Sequence, residues 1–360
     1  MTQKHTTIGL EVGNYASATV ATGIQRLISN VHEHLTDYWK SRGIHLAPTL
    51  CQKVSVIDFE SRLASSALGR AFVSAPRVAP DDCDAVLLLD LDNGVDYQRL
   101  RMLRESRGTA VIAVIYDILP LIHPEWFPEH GKRNFQLYLQ QVLYAATHVV
   151  VNSEKVKSDL LSLGWRIKQD ISVIHLGAAF PHQRPRQLPD DQVSLLYVST
   201  IEPRKGHDVL LDAFELLIHQ GVDVNLALVG HRGWNIEEVI RRIESHPELG
   251  GRLRWYEGIS DQAIAQLARD SNIGVMPSRG EGFGLFIEEG LQMGLKMIAS
   301  DIPEFVERPQ PNLRYCSLNP VALAEAILAA HKTKWISDSH PRTMRHFSYD
   351  FCKLVERLIG

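Results

Sequence analysis

Short, unbroken apolar runs recur along this chain in two series, with a proline-rich stretch between them. The first series comprises Thr7–Val12, Val54–Ile57, Ala85–Leu89, Val111–Tyr116, His148–Asn152 and Ile171–His175. The second comprises Leu195–Val198, Leu226–Val229, Leu253–Tyr256, Ile273–Met276 and Lys296–Ala299. A strand with one wet face alternates apolar and polar residues, whereas a run that is apolar throughout needs cover on both faces. Helical patterns such as Gly23–Leu35 and Arg133–Ala146 fall between the runs and supply that cover. The expectation is an α/β chain built on parallel sheets. Ala179 to Asp191 holds three prolines and no periodicity, as a linker does. At 360 residues the chain is long for one core. The expected division is residues 1–180, residues 181–340, and a C-terminal helical segment 341–360 packing back on the first domain.

Composition narrows the function. The chain is 45% hydrophobic and 22% charged with net charge −4, as an ordinary globular protein is. A slightly acidic total argues against a general nucleic-acid partner. Cys51, Cys83, Cys316 and Cys352 are scattered, without zinc spacing or a disulfide framework, so reduced thiols and a cytoplasmic location are expected. Met1–Thr7 lacks the apolar core of a secretory leader. Val111–Ile122, the longest apolar run, is interrupted by Tyr116, Asp117 and Pro120 and is too short to span a bilayer. Membrane contact would therefore be peripheral.

Chemistry concentrates in the second series. After the run Ile273–Met276 comes Glu281-Gly-Phe-Gly-Leu-Phe-Ile-Glu-Glu289, whose later residues open a helix that stops at Gly294. Two carboxylates, Glu281 and Glu289, thus bracket a glycine loop where a strand hands over to a helix. Free amides and the positive helix end converge at such a junction, and ligands bind there. After Leu195–Val198, a second loop presents Arg204 and Lys205 beside Gly206. Adjacent cations at a strand's C-terminal end can clamp a diphosphate or form a solvated turn. No dinucleotide-type GxGxxG or Walker A loop is present.

The combination Ser199…Pro203-Arg-Lys-Gly206, Leu228-Val-Gly230, Ser278…Glu281-Gly-Phe-Gly-Leu…Glu289 and Ala299-Ser-Asp301 resembles the retaining GT-B glycosyltransferases of family GT4 (glycosyltransferase group 1). The hallmark of that family is two glutamates separated by seven residues. The likeness is densest over residues 195–305 and extends weakly to Thr22-Gly-Ile-Gln-Arg26 and Tyr116-Asp-Ile-Leu-Pro120. It implies a GT-B fold, two Rossmann-like domains facing each other across a cleft, with acceptor bound by the first and nucleotide-sugar by the second. It also implies roles. Arg204 and Lys205 contact the donor diphosphate, Glu281 meets donor sugar hydroxyls, and Glu289 binds the ribose. The amides of Gly282, Phe283, Gly284 and Leu285 line sugar and phosphate, while Gly23 faces the phosphates. No metal and no cofactor are expected. The implied reaction transfers a sugar, with retention, to a saccharide or polyprenyl-diphosphate-linked saccharide in surface polysaccharide (O-antigen) synthesis. GDP-mannose is the first donor expected and dTDP-rhamnose the second. The rival readings are an epimerase or synthase on the same fold, or a non-catalytic nucleotide-sugar-binding subunit.

Several residues carry two readings. Asp117 either orients or deprotonates an acceptor hydroxyl, or caps the turn before Pro120. Tyr116 stands where the family often has His. Gly230 permits close ligand approach; Trp234 flanks a ligand or packs. Asp261 sits in a base-binding turn or caps a helix. Asp90-Leu-Asp92 matches a short metal-binding pattern of another glycosyltransferase fold, or is simply solvated. His123 is a loop residue or, less in keeping with its surroundings, a base. Arg99, Arg101, Arg104 and Arg107 form a basic helical stretch that either meets anionic lipid or lies on a solvated face.

Overall fold

The computed structural model describes residues 6–12, 23–51, 77–91, 94–183, 192–334, 336 and 341–360. The expected strand Val54–Ile57, Thr22, Asp92 and residues 184–191 of the linker lie outside the described residues. The chain divides into two compact units. One comprises Met1–Leu121, His130–Ala179 and Met344–Gly360, the other Ile122–Glu129 and Phe180–Thr343.

In the first unit the chain runs β1 (Thr6–Glu11), α1 (Gly23–Lys40), β2 (Ile44–Thr49), β3 (Ala85–Leu88), α2 (Tyr97–Arg107) and β4 (Ala110–Ile115). It continues through α3 (Glu129–Ala145), β5 (His148–Val151), α4 (Glu154–Ser162) and β6 (Asp170–Val173). The sheet order is β2-β1-β3-β4-β5-β6, every pair parallel. All six residues of β4 are buried, as an all-apolar run requires. Asp96 caps α2 by accepting from the Arg99 amide at 3.1 Å, and Gly108, at φ 74°, ends it.

The basic stretch on α2 is largely engaged within its own unit. Arg99 pairs with Asp81. Arg101 bonds Glu105 at 2.7 Å and lies over the Tyr144 ring. Arg104 donates to the carbonyls of Tyr144, Ala145 and Ala146 at 3.1–3.2 Å, closing the C-terminal end of α3.

The second unit repeats the architecture: β7 (Val193–Val198), α5 (His207–His219), β8 (Val224–Val229), α6 (Glu237–Glu244), β9 (Leu253–Tyr256), α7 (Asp261–Arg269), β10 (Ile273–Met276), α8 (Leu285–Gln292), β11 (Lys296–Ser300), α9 (Pro303–Val306), β12 (Leu313–Cys316) and α10 (Pro320–His331). Its order, β12-β11-β10-β7-β8-β9, is parallel throughout. Counted within the unit this is 6-5-4-1-2-3, the doubly wound Rossmann order. The strand order reverses between β7 and β10. At such a reversal point the connections from the two central strands depart to opposite sides, which is where α/β sheets of this order form their binding crevice.

Two strands, β2 and β12, were not among the sequence expectations. Both lie at sheet edges. Their sequences, Ile-His-Leu-Ala-Pro-Thr and Leu-Arg-Tyr-Cys, are interrupted by polar residues or proline, which an edge tolerates and a central strand does not.

The chain ends in α11 (Met344–Ile359), which belongs to the first unit and packs on α1. Phe347, Phe351, Cys352 and Val355 are fully buried, and the Trp39 indole donates to Glu356 at 3.1 Å. Among the described residues, no helix is long and apolar enough to cross a membrane.

Candidate functional site

The loops leaving β7 and β10 meet at the reversal point of the second sheet. After β7 the chain makes a tight turn, Pro203–Lys205, and Gly206 turns it into α5 at φ 67°. A Cβ on Gly206 would lie 1.9 Å from the Pro277 carbonyl oxygen, so only glycine lets this loop rest on the exit of β10. The Arg279 amide donates to the Arg204 carbonyl at 2.7 Å, and the Arg279 guanidinium grips Asp208 at 2.6 and 3.0 Å. The Tyr197 hydroxyl donates to the Lys205 carbonyl at 2.8 Å. The two cations are therefore held by their backbones before any ligand arrives.

Glu281 is the hub. Its carboxylate accepts from Lys205 Nζ at 2.5 Å, Arg204 Nη1 at 2.7 Å and Ser278 Oγ at 2.8 Å. Its backbone N–H donates to Glu304 Oε1 at 2.8 Å. Burial pushes the Glu281 carboxyl up, but Arg204 and Lys205 overcome that effect and bring it down to about 2. Glu281 is thus ionised at neutral pH and unsuited to act as a general acid. Arg204 also pairs with Glu202, buried at 4% exposure, across 2.8 Å. His207, next to Lys205, is driven down to about 3, first by burial and then by that lysine, and stays neutral.

Beyond Glu281 the loop Gly282-Phe283-Gly284 is buried and delivers the chain into α8. Gly284 sits at φ 79° against the Phe305 ring, where a Cβ would approach to 2.3 Å. Leu285 begins the helix, and Glu289, one turn further on, is buried at 2% exposure. The structure therefore gathers Arg204, Lys205, Glu281, the glycine loop and Glu289 on adjacent loops and one helix of the second unit.

Other expected residues have structural explanations of their own. A Cβ on Gly230 would fall 1.8 Å from the Ser199 carbonyl oxygen, which accounts for that glycine by loop packing. The Trp234 indole donates to the Trp126 carbonyl at 2.7 Å and its ring leans on Phe127, so Trp234 packs. The cap of α7 is Ser260, whose side chain accepts from the Ala263 amide at 3.3 Å, one residue before Asp261. In the first unit Gly23 is the first residue of α1. Asp117 follows β4 and accepts from the Leu119 amide at 3.1 Å, holding the turn before Pro120. Tyr116 is buried, its hydroxyl bonded to the Leu89 carbonyl at 2.6 Å. His123 stacks on Trp126 and faces Glu125. Asp90 accepts from its neighbour's amide at 2.8 Å. Glu202, Glu304 and Arg308 escaped the sequence reading. Glu202 carried a signal, adjacency to the Arg-Lys pair, but Glu304 and Arg308 reach the loop only through the fold.

Residues 192–333 match the family profile described as glycosyl transferases group 1. Over those residues the second unit is similar to a glycosyltransferase group 1 domain. A serotype-specific mannosyltransferase of Escherichia coli, WbdA, is 29% identical over 366 residues, covering 93% of this chain and 42% of that protein. The chain thus spans less than half the length of the curated relative. Among solved structures, HepE of Anabaena, crystallised with UDP and glucose, superposes with a TM-score of 0.65 at 15% identity, covering 98% of this chain and 99% of that one. Sucrose-phosphate synthase of Thermosynechococcus elongatus gives a TM-score of 0.61 at 18% identity, covering 98% and 96%. At these identities the likeness carries the fold, GT-B with two Rossmann-like units.

Proposed function

We propose that this chain transfers a sugar from a nucleotide-sugar to a hydroxyl of a saccharide acceptor, free or polyprenyl-diphosphate-linked, in surface polysaccharide synthesis. The observation that carries the proposal is the convergence of Arg204, Lys205 and the glycine loop at the switch point of the second sheet. Cleavage at the anomeric carbon leaves negative charge on the nucleoside diphosphate. Arg204, Lys205 and the N-terminus of α8 would stabilise that charge, with no metal in the role. Glu281, held ionised, would accept hydrogen bonds from donor sugar hydroxyls and Glu289 from the ribose. The amides of Gly282 to Leu285 would line sugar and phosphate, with Gly23 and Gly230 completing the donor contacts. Mannose from GDP-mannose is the donor assigned, supported by the relation to WbdA, with dTDP-rhamnose as the competing donor.

No residue near the anomeric carbon is needed as nucleophile if the departing phosphate takes the proton of the incoming hydroxyl on the same face, which retains configuration. Asp117, in the first unit, is the residue assigned to orient the acceptor hydroxyl. A lipid-linked acceptor would bring the protein to the inner face of the plasma membrane as a peripheral enzyme. A thermal-shift screen against nucleoside diphosphates and their sugars tests the donor site, because a ligand that binds only the folded state raises the melting temperature. One base should stand out, Arg204→Ala and Glu289→Ala should each abolish its shift, and turnover should survive EDTA. An undiminished shift in both variants would overturn the site assignment.

A further inference from the structure

The glycine loop is held from behind by a buried ion pair that the donor chemistry does not use. Arg308, just after α9, has its side chain 7% exposed, and its partner Glu288, on the buried side of α8, 2%. Arg308 Nη1 donates to Glu288 Oε1 at 2.7 Å, while Nη2 donates to the Phe283 carbonyl and the guanidinium lies 3.6 Å from the Phe283 ring centroid. Glu288 is steadied further by Gln310 Nε2 at 3.4 Å and by the Arg342 amide at 3.3 Å. Taking both charges out of water is costly, and a pair of apolar side chains at these positions would serve packing as well. What an apolar pair cannot do is hold the Phe283 carbonyl.

That carbonyl matters because a trans peptide is planar, with its C=O and N–H pointing in opposite directions. Fixing the Phe283 oxygen on Arg308 fixes the Gly284 N–H on the other side of the loop. Gly284 caps α8, and a helix has no internal acceptor for the N–H groups of its first turn. Without a Cβ, Gly284 has many backbone conformations open to it, so its φ of 79° has to be held by neighbouring groups. Arg308 is a fork with donors for two acceptors at once, so one side chain ties the loop carbonyl to the helix carboxylate.

We propose that Arg308, braced by Glu288, is a positioning residue that orients the Gly284 amide toward the donor diphosphate, an inference that rests on the donor-site reading above. The informative variant is Glu288→Leu combined with Arg308→Met, which removes both buried charges together. Two measurements are made on it. One is hydrogen–deuterium exchange of the Gly282–Leu285 amides without ligand; the other is the affinity for GDP, UDP and dTDP by calorimetry. The double variant should keep its melting temperature within a few degrees while the loop amides exchange about ten-fold faster or more. The nucleoside diphosphate that binds wild type should bind it about ten- to one hundred-fold more weakly. A role confined to packing would move neither readout once the protein is folded, and that result overturns the proposal. Faster exchange with unaltered affinity also overturns it. Should the double variant not fold, Arg308→Lys keeps the charge facing Glu288 without the fork and is read in the same two ways. If wild type binds no nucleoside diphosphate, the donor-site reading falls, while loop exchange still decides whether Arg308 restrains the loop.

Discussion

At the residue scale, the site depends on charges held in fixed positions before a ligand arrives. Glu281 is depressed to about 2 from 4.5, so its ionised form is favoured by folding. The stability it contributes is present above the unfolded value and is lost as pH falls from about 4.5 toward 2. Urea titrations of wild type and Glu281→Gln should therefore differ most above about pH 5 and converge as pH approaches 2. His207 is depressed too and also costs stability in acid, but it is common to both proteins and cancels in the comparison. Gly206 makes a second residue-scale prediction. A left-handed backbone costs a residue with a Cβ roughly 1–2 kcal/mol, and the clash with the Pro277 carbonyl adds to it. Gly206→Ala should lower the denaturation midpoint and weaken nucleoside diphosphate binding together, because it pushes the cation loop off β10.

At the element scale, α11 is the last element in the chain, yet it contributes to the core of the first unit. Phe351 is fully buried and stacks on Phe347, with ring centroids 5.6 Å apart. Phe351→Ala should cost about 3–5 kcal/mol by leaving a cavity. Denaturation followed through Trp39, whose indole bonds Glu356 on the same helix, should report that loss. The arginines of α2 belong to this scale as well. Arg99 and Arg104 have partners inside their unit, one a carboxylate and the other a helix end. A lipid headgroup would have to compete with those partners.

At the scale of the whole molecule, two units with separate parallel sheets need not unfold together. Scanning calorimetry should resolve two transitions, and the preferred nucleoside diphosphate should raise the one belonging to residues 180–343. A ligand that raised only the other transition would place the donor site in the first unit and contradict the assignment made above.

Much of this was already legible in the chain. Unbroken apolar runs such as Val111–Tyr116 and Ile273–Met276 require two covered faces, so they announced parallel strands without any structure. The Arg204-Lys205 pair and the Glu281…Glu289 spacing were readable because each depends on residues close in sequence, set at the end of a recognisable strand. Edge strands β2 and β12 were not readable, since a strand paired on one side only admits Pro48 and Arg314 and loses the apolar signature. The strand order was also beyond the sequence, because local patterns do not state which strand lies beside which. That order brings β7 next to β10 and so places two cations 76 and 77 residues away in the chain on the carboxylate of Glu281. It likewise brings Glu304 to the Glu281 amide and Arg308 to the Phe283 carbonyl. Side-chain chemistry and strand-forming tendency are local properties that the sequence alone determined. Which charges meet, and what holds the loop between them, was decided only when packing closed the distance.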